Sequence, residues 1–578
     1  MARPGFLRSG RGVLLAVGII FLLVSPALAA TDPPRLTMPV HATKADLNPA
    51  RMYPAPYMAA DKSNPKVAMG ATVDLSTRRC TAVFTTDGGQ TWSLSQGSPA
   101  PNDYPHCVWS NFANQAAMGR NGRGYVSITG WDDRDGGARF GNQSLIVSST
   151  DDLGKNWRPT IVTPARGKEG EAVEQHRPIG LAVDAKNGGE DIVYATWNKT
   201  MPNRLAPNQE PSRPMVAVST NAGRTFGEPV DLSKGVWTDA FRQQAFSSGT
   251  TTTVAPTAST TTTTTPPAGS RLSQPNQEAN FGGSNPRLTL DDKGNVYVAW
   301  RSAQSNVPNT QPVAPTTFVS VSRDRGQTWT TNSVTSYTAV GNPASIAWTK
   351  AGGANGTLVM LYGRGSTPAS GQGNDVMMQR STDQGKTWTE AKNITDDEPS
   401  QMVIQLDSAL AAAPNGRLDA VWYDTRSDPG IRGNDVYYTY STDGGESWAP
   451  NLRVTDRTIN RTYGVWGQNY DLSPPVGVAS TNELTIIGWD DSRNTEPGLR
   501  VGFEPGFGVQ DVYTSTVQHA VVGAGGASKA TKIVIAGLLG LAAVAVVLLA
   551  AAMVMRRGQP APGKKVRAKK EKAPAQIG

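Results

Sequence analysis

The octapeptide Thr85-Thr86-Asp87-Gly88-Gly89-Gln90-Thr91-Trp92 is a turn sequence that returns five more times along the chain. Its pattern is Ser/Thr-x-Asp-x-Gly-x-x-Trp. It recurs as Thr150…Asp152…Gly154…Trp157 and, degenerate, as Ser219…Asn221…Gly223…Phe226. Three further copies are Ser322…Asp324…Gly326…Trp329, Ser381…Asp383…Gly385…Trp388 and Ser441…Asp443…Gly445…Trp448. The Asp or Asn positions are separated by 65, 69, 103, 59 and 60 residues. Near-constant spacing of this kind marks an internal repeat.

The chemistry of the motif is that of a hairpin corner. Its hydroxyl and carboxylate can accept hydrogen bonds from turn amides that have no strand partner. The glycine takes the positive φ that such a corner needs. The aromatic residue covers the hairpin. The six positions Asp87, Asp152, Asn221, Asp324, Asp383 and Asp443 are therefore read as architectural, with neither a metal nor a catalytic role.

Around each corner the strand grammar repeats. A short alternating strand ending in an aromatic residue precedes a second strand leading into the corner. Examples are Val296–Trp300 before Phe318–Ser322, and Asp419–Trp422 before Asp435–Tyr438. An inner strand comes first, as in Pro286–Leu290, and an outer one follows, as in Asn451–Val454. Four antiparallel strands per unit of about 60 residues predict an all-β propeller. Six corners mark six blades. A seventh unit without a corner runs through Leu484–Trp489 and Asp511–Thr514, with no room after it for an outer strand. Arg35–Val40 is expected to supply that strand and lock a seven-bladed ring; six blades is the alternative count.

The 103-residue gap has a separate cause. Of the 16 residues Thr250–Thr265, 11 are Thr, and Pro256, Pro266 and Pro267 lie in the same tract. The region about 246–284 is read as a disordered insertion in a blade connection, since such composition cannot bury a core.

The net charge of +8 belongs to the ends of the 578-residue chain. Residues 1–30 carry +3 and residues 556–578 carry +7, which leaves −2 for the rest. No basic face suits nucleic acid. Arg3, Arg8 and Arg11 before an apolar run and Ser25-Pro26-Ala27-Leu28-Ala29 read as a signal peptide over 1–30. Residues 533–555 are 23 without a charge, long enough as a helix to cross a bilayer, and a basic tail follows at 556–578. The expected organisation is a propeller at 31–521, a Gly/Ala/Ser linker at 522–532, and one transmembrane helix with a cytoplasmic tail, a type I single-pass surface protein. The two cysteines, Cys80 and Cys107, read as one disulfide in an oxidising compartment, with two buried thiols as the alternative.

The corners resemble the Asp-box repeats of sialidases and related propellers. The run Val421-Trp422-Tyr423-Asp424-Thr425-Arg426, then Asn434–Tyr438 and the sixth corner, is similar to secreted bacterial sialidase-like proteins. The resemblance covers roughly residues 35–520. It implies the propeller fold, a carbohydrate ligand and, in the hydrolases of the family, an arginine triad, a Tyr–Glu nucleophile pair and an Asp acid/base. The family's first arginine lies in an Arg-Ile-Pro motif. Here the corresponding region reads Arg51-Met52-Tyr53-Pro54, and His176-Arg177-Pro178-Ile179 holds similar letters in another order and in the third unit. No catalytic residue is therefore carried over.

The face opposite the corners holds the loops between second and third strands and the connections between blades. Several second strands end there with acids and arginines: Asp132-Asp133-Arg134, Asp424-Thr425-Arg426 and Asp490-Asp491-Ser492-Arg493, with Arg301 and Arg364 at similar places. The candidate ligand-binding residues are Arg134, Arg301, Arg364, Asp424, Arg426, Asp490 and Arg493, an arginine-lined mouth able to hold acidic sugars. The competing reading is that Asp-x-Arg pairs bridge strands within each blade. No metal or other cofactor is expected. Two functions are carried forward: a surface module binding glycan or extracellular protein, and a tethered sialidase-type hydrolase.

Overall fold

The computed structural model describes residues 33–520, apart from 55, 108–113, 132–142, 165–174, 186–188, 202–209, 235–282, 303–316, 335–342, 365–374, 399–402, 429–431, 464–475 and 496–508. The signal peptide, the linker beyond 520, the transmembrane segment, the basic tail and almost all of the Thr-rich insertion lie outside these residues. Among the described residues no helix is long and apolar enough to cross a membrane.

Seven antiparallel sheets stand in a ring. In the sixth, the strand order from the axis outward is Gln405–Ala412, Leu418–Asp424, Gly433–Ser441 and Leu452–Arg453. The same four-strand path recurs in the other six. The innermost strands are Tyr57–Ala60, Gln115–Met118, Gln175–Asp184, Gly283–Leu290, Pro343–Thr349, Gln405–Ala412 and Gly477–Ser480. Each packs on the next, and the seventh packs on the first. The count of seven is thereby fixed. The fourth inner strand begins at Gly283, three residues before the Pro286–Leu290 stretch read from the sequence, so the insertion ends slightly earlier than 284.

The ring closes with strands from both ends of the propeller. Leu484–Asp491 pairs with Asp511–Gln518 across all eight residues. The outer edge of the latter is covered from the N-terminal side: Arg35–Leu36 pairs with Val517 and Gln518, and Val40–His41 with Thr514 and Tyr513. The N-terminal strand expected from the sequence is thus two short pieces. An unpaired third strand would leave a row of backbone donors and acceptors open, and this closure covers it.

The core lies in the seams between blades, where flat sheets present both faces. Trp197, Trp300, Trp422 and Trp489 occupy like positions near the ends of second strands and are at most 2% exposed. Each buried indole N–H has an acceptor: His176 Nδ1, Ser320 Oγ, Asp424 Oδ2 and Asp491 Oδ2 respectively. A buried indole usually finds a partner for that polar end. The inner strands of blades three to six share a further feature. Each has a register shift near its start, at Pro178/Gly180, Ser284/Arg287, Pro343/Ser345 and Leu406/Ala409. Such bulges bend a strand, and here they stand at the corner-free end of the central channel.

Candidate functional site

The six corners repeat one hydrogen-bond pattern. The hydroxyl accepts from the glycine amide four residues on, at 2.7–3.0 Å in all six. The acid or amide oxygen accepts from the amide four residues after itself, at 2.9–3.1 Å. These bonds hold Asp152 and Asp324 in the charged form: their pKa values fall to about 2, the first chiefly through Asn156 and the second through Thr328. Asn221 keeps the arrangement with its polarity partly reversed, its Nδ2 donating to Thr225 Oγ1 at 2.8 Å. The acceptors are consumed inside the turn, which suits an architectural part.

On the opposite face the sixth and seventh blades carry the same bracket. Trp422 donates to Asp424, and Arg426 Nη2 lies 2.8 Å from Asp424 Oδ2. Trp489 donates to Asp491, and Arg493 Nη2 lies 2.7 Å from Asp491 Oδ2. The sequence motif is therefore Trp-x-Asp-x-Arg. Each arginine also reaches the connection arriving from the preceding blade, Arg426 to Asp396 at 2.7 Å and Arg493 to Asp456 at 2.8 Å. Each lies over an aromatic ring of its own third strand, Tyr437 at 4.2 Å and Tyr513 at 4.3 Å. Each pair lies within its own blade, and each arginine also staples that blade to the connection from the one before it. A ligand at Arg426 or Arg493 would have to displace a carboxylate already in place.

Asp490 belongs to a different group. Side chains alternate along a strand, so Asp490 points into the seam with the sixth blade while Asp491 meets Arg493. Asp490 accepts from Tyr423 Oη at 2.7 Å, from Arg461 Nη1 at 2.6 Å and from Gln510. Arg461 Nε donates to Asn434 Oδ1 at 3.0 Å, and its guanidinium lies 4.8 Å from the Tyr423 ring centroid. Burial and the adjacent Asp490 raise the Tyr423 pKa well above its usual value. Tyr423, Asp490 and Arg461 are at most 3% exposed. A neutralised, enclosed cluster of this kind ties blades together and is closed to a substrate. Arg461 went unnoticed in the sequence, because its partners lie 27 and 29 residues away with no local pattern.

One cation at this end is placed differently. On the third inner strand His176 and Pro178 are buried, and Arg177 between them is exposed. Arg177 is the third residue of this inner strand, at its corner-free end. Thr129 Oγ1 holds the backbone here by donating to the His176 carbonyl. Among the described residues Arg177 has no ion-pair or hydrogen-bond partner, and partial burial without a counter-charge lowers its pKa. A guanidinium walled by protein and lacking an anion is suited to receive one.

The model of the BNR/Asp-box repeat family matches residues 83–94 and 379–390, the first and fifth corners. The chain is a propeller that carries BNR/Asp-box repeats. No curated protein matches the chain. Among solved structures, the chain is similar to a protein of unknown function from Dyadobacter fermentans, with 12% identity, TM-score 0.43, and coverage of 84% of this chain and 99% of that one. It is also similar to the α-L-arabinanase of Penicillium chrysogenum complexed with arabinobiose, with 13% identity, TM-score 0.37, and coverage of 71% and 99%. A third is Trypanosoma rangeli sialidase in complex with 2,3-difluorosialic acid, with 11% identity and TM-score 0.37. That match covers 70% of this chain and 53% of the sialidase, about half its length.

The Asp-box propeller brings together some of the expected residues and separates others. Asp424 with Arg426 forms one bracket. Arg493 forms the other with Asp491, while Asp490 leaves for the seam. Arg301 is half-buried at the end of Val296–Ser302, opposite Ser284 and Thr317. Arg364 ends Thr357–Arg364 opposite Asp375. Arg134 and the neighbouring acids lie outside the described residues. Cys80 and Cys107 form a disulfide with Cα atoms 5.2 Å apart; Cys80 is the second residue of the strand Arg79–Thr85. Among the described residues no group of three His, Cys, Asp or Glu could hold a metal ion. Arg177 was legible only as a misordered family motif; its exposure between buried neighbours comes from the bulged inner strand.

Proposed function

We propose that this protein is a surface-displayed binding module that takes an acidic ligand, foremost a carboxylated carbohydrate, at the corner-free mouth of its propeller. Export by residues 1–30 and anchoring by 533–555 belong to the same proposal. The observation that carries it is Arg177, an exposed guanidinium at the corner-free end of an inner strand with no anion of its own among the described residues. Arg301 and Arg364 lie at or next to the ends of second strands on the same face. Arg426 and Arg493 are assigned to blade stapling instead.

The test is a glycan array probed with the full-length chain, followed by titration of the best ligand. Arg177→Ala is expected to weaken binding of carboxylated glycans at least tenfold, which corresponds to about 1.4 kcal/mol, with neutral glycans unaffected. Equal affinity in the wild type and the variant would overturn the assignment. A fluorogenic sialoside run in parallel decides the hydrolase reading: turnover by the wild type would make the module an enzyme.

A further inference from the structure

A second cleft lies between the third and fourth blades on the Asp-box face. Its cavity is about 470 Å³, within the roughly 300–1,000 Å³ of small-ligand sites. Ile192, Val216, Val218 and Val230 supply apolar lining.

On the third-blade side the outer strand is Val230–Asp231, which pairs with Met215 and Val216. At the equivalent place between blades one and two, Ser95 and Gly97 donate to the Gly154 carbonyl, and the Trp157 indole donates to Ser95. The third corner has Phe226 in place of Trp, and that ring packs beside Val162, toward the second blade. At the gap to the fourth blade, Trp329 of the fourth corner packs on the cluster that holds Val216 and Leu232, and its indole donates to Gly326 of its own corner, so no hydrogen-bonded bridge like that of Ser95 is found there among the described residues.

The two walls carry opposite charges. From the third blade comes Glu228, and from the fourth comes Arg325. Both are exposed, and neither has a hydrogen-bond or ion-pair partner among the described residues. The other acid of the lining, Glu190, is held by Arg224. Gly326 sits at φ +89°, and a Cβ there would lie 2.6 Å from Val218 Cγ2, so the corner is pressed against the floor with Arg325 beside it.

We infer that this cleft binds a small zwitterion with an aliphatic side chain, a free amino acid or short unblocked peptide. Its carboxylate meets Arg325, its ammonium group meets Glu228, and its alkyl group covers the valines. An anion alone would leave Glu228 facing it, and an apolar group alone would leave both charges unmatched. The site is on the face opposite the mouth and does not depend on the reading of Arg177.

The experiment is methyl NMR on the full-length chain labelled at Ile and Val, titrated with the dipeptide Leu-Leu. Methyl signals of Ile192, Val216, Val218 and Val230 are expected to move together at millimolar dipeptide or below. Glu228→Gln and Arg325→Gln, both surface changes, should each weaken binding about tenfold while leaving the melting temperature unchanged. N-acetyl-leucine amide, which has neither charge, should not bind. Stationary methyls, equal binding of the blocked compound, or a loss confined to one variant would overturn the inference.

Discussion

Arg51 and Asp511, 460 residues apart, form a two-pronged ion pair, with Nε 2.6 Å from Oδ1 and Nη2 2.9 Å from Oδ2. Thr43 and His41, also from the N-terminal segment, reach Oδ1 at 3.1 Å each, and Asn494 Nδ2 lies 2.7 Å from Oδ2. The last strand of the ring is thus held to the first segment of the propeller by a buried carboxylate as well as by backbone pairing.

Acid should open this clasp. Burial alone would raise the Asp511 pKa, but the adjoining His41 and hydrogen bonds from Arg51 and Asn494 outweigh it and hold the group well below the ordinary carboxylate range. A depressed folded-state pKa contributes stability that is present above about pH 4 and is lost as pH falls toward the folded value. Asp511→Asn should cost roughly 3 kcal/mol at pH 7, since it leaves Arg51 unpaired. It should also flatten the melting temperature between pH 4 and 2. Scanning calorimetry of the two proteins across that range checks both.

His519 sets a second pH window, at the opposite end of the final blade. It lies 2.9 Å from Thr485 Oγ1 and 3.4 Å from Tyr438 Oη, beside Asp419 and against the edge of Tyr440. Burial, then the nearby Arg417, lowers its pKa to about 4, with Asp419 opposing. The folded state therefore disfavours the proton. Stability is full above about pH 6.5 and declines as pH falls from there toward 4, by roughly 2–3 kcal/mol. His519→Gln should remove most of that decline in denaturant titrations at pH 4.5 and 7.

The disulfide closes a stretch of 27 residues. Restricting the unfolded chain over such a loop stabilises by about 3–4 kcal/mol on the chain-entropy account. Reduction, or Cys80→Ala with Cys107→Ala, should lower the denaturant midpoint by a corresponding amount without changing the far-ultraviolet spectrum of the folded state. An unchanged midpoint would refute the prediction.

The corners tolerate an amide and not a methyl group. Asn221 occupies one of the six with the same amide bond at 3.0 Å. Asp383→Asn should therefore cost under about 0.5 kcal/mol. Asp383→Ala, which strips acceptors from the Lys386 and Thr387 amides, should cost about 1–2 kcal/mol. Paired chemical denaturation curves separate the two.

Arg426 and Arg177 should behave in opposite ways. Removing Arg426 leaves Asp424, fully buried, without its cation and should cost roughly 3 kcal/mol, with ligand affinity of the surviving fold unchanged. Arg177→Ala should spare the melting temperature and lower affinity. A melting temperature measured beside each titration tests the division of roles.

The repeat, the strand order within a unit and the N-terminal closure were legible because each rests on contacts between residues close in sequence or on a count of like units. The hydroxyl, acid and glycine of a corner meet within five residues, so their spacing carries their geometry. The arginine-bearing face was legible only in part. Asp490 and Asp491 read as one cluster with Arg493, yet alternation along a strand sends them to opposite sides, and the Trp-x-Asp-x-Arg spacing shared by Trp422 and Trp489 was the signal that separates them.

The amino-acid order by itself determined an all-β ring of corner-marked units, because turn chemistry and period-two burial are local. Tertiary structure alone decided which charges are satisfied and which are offered to solvent. Arg461 finds its carboxylate across a seam, Arg177 finds none among the described residues, and Glu228 and Arg325 line one cleft only because the blades are set side by side. Such contacts depend on the radial packing of separate sheets, which no local pattern records.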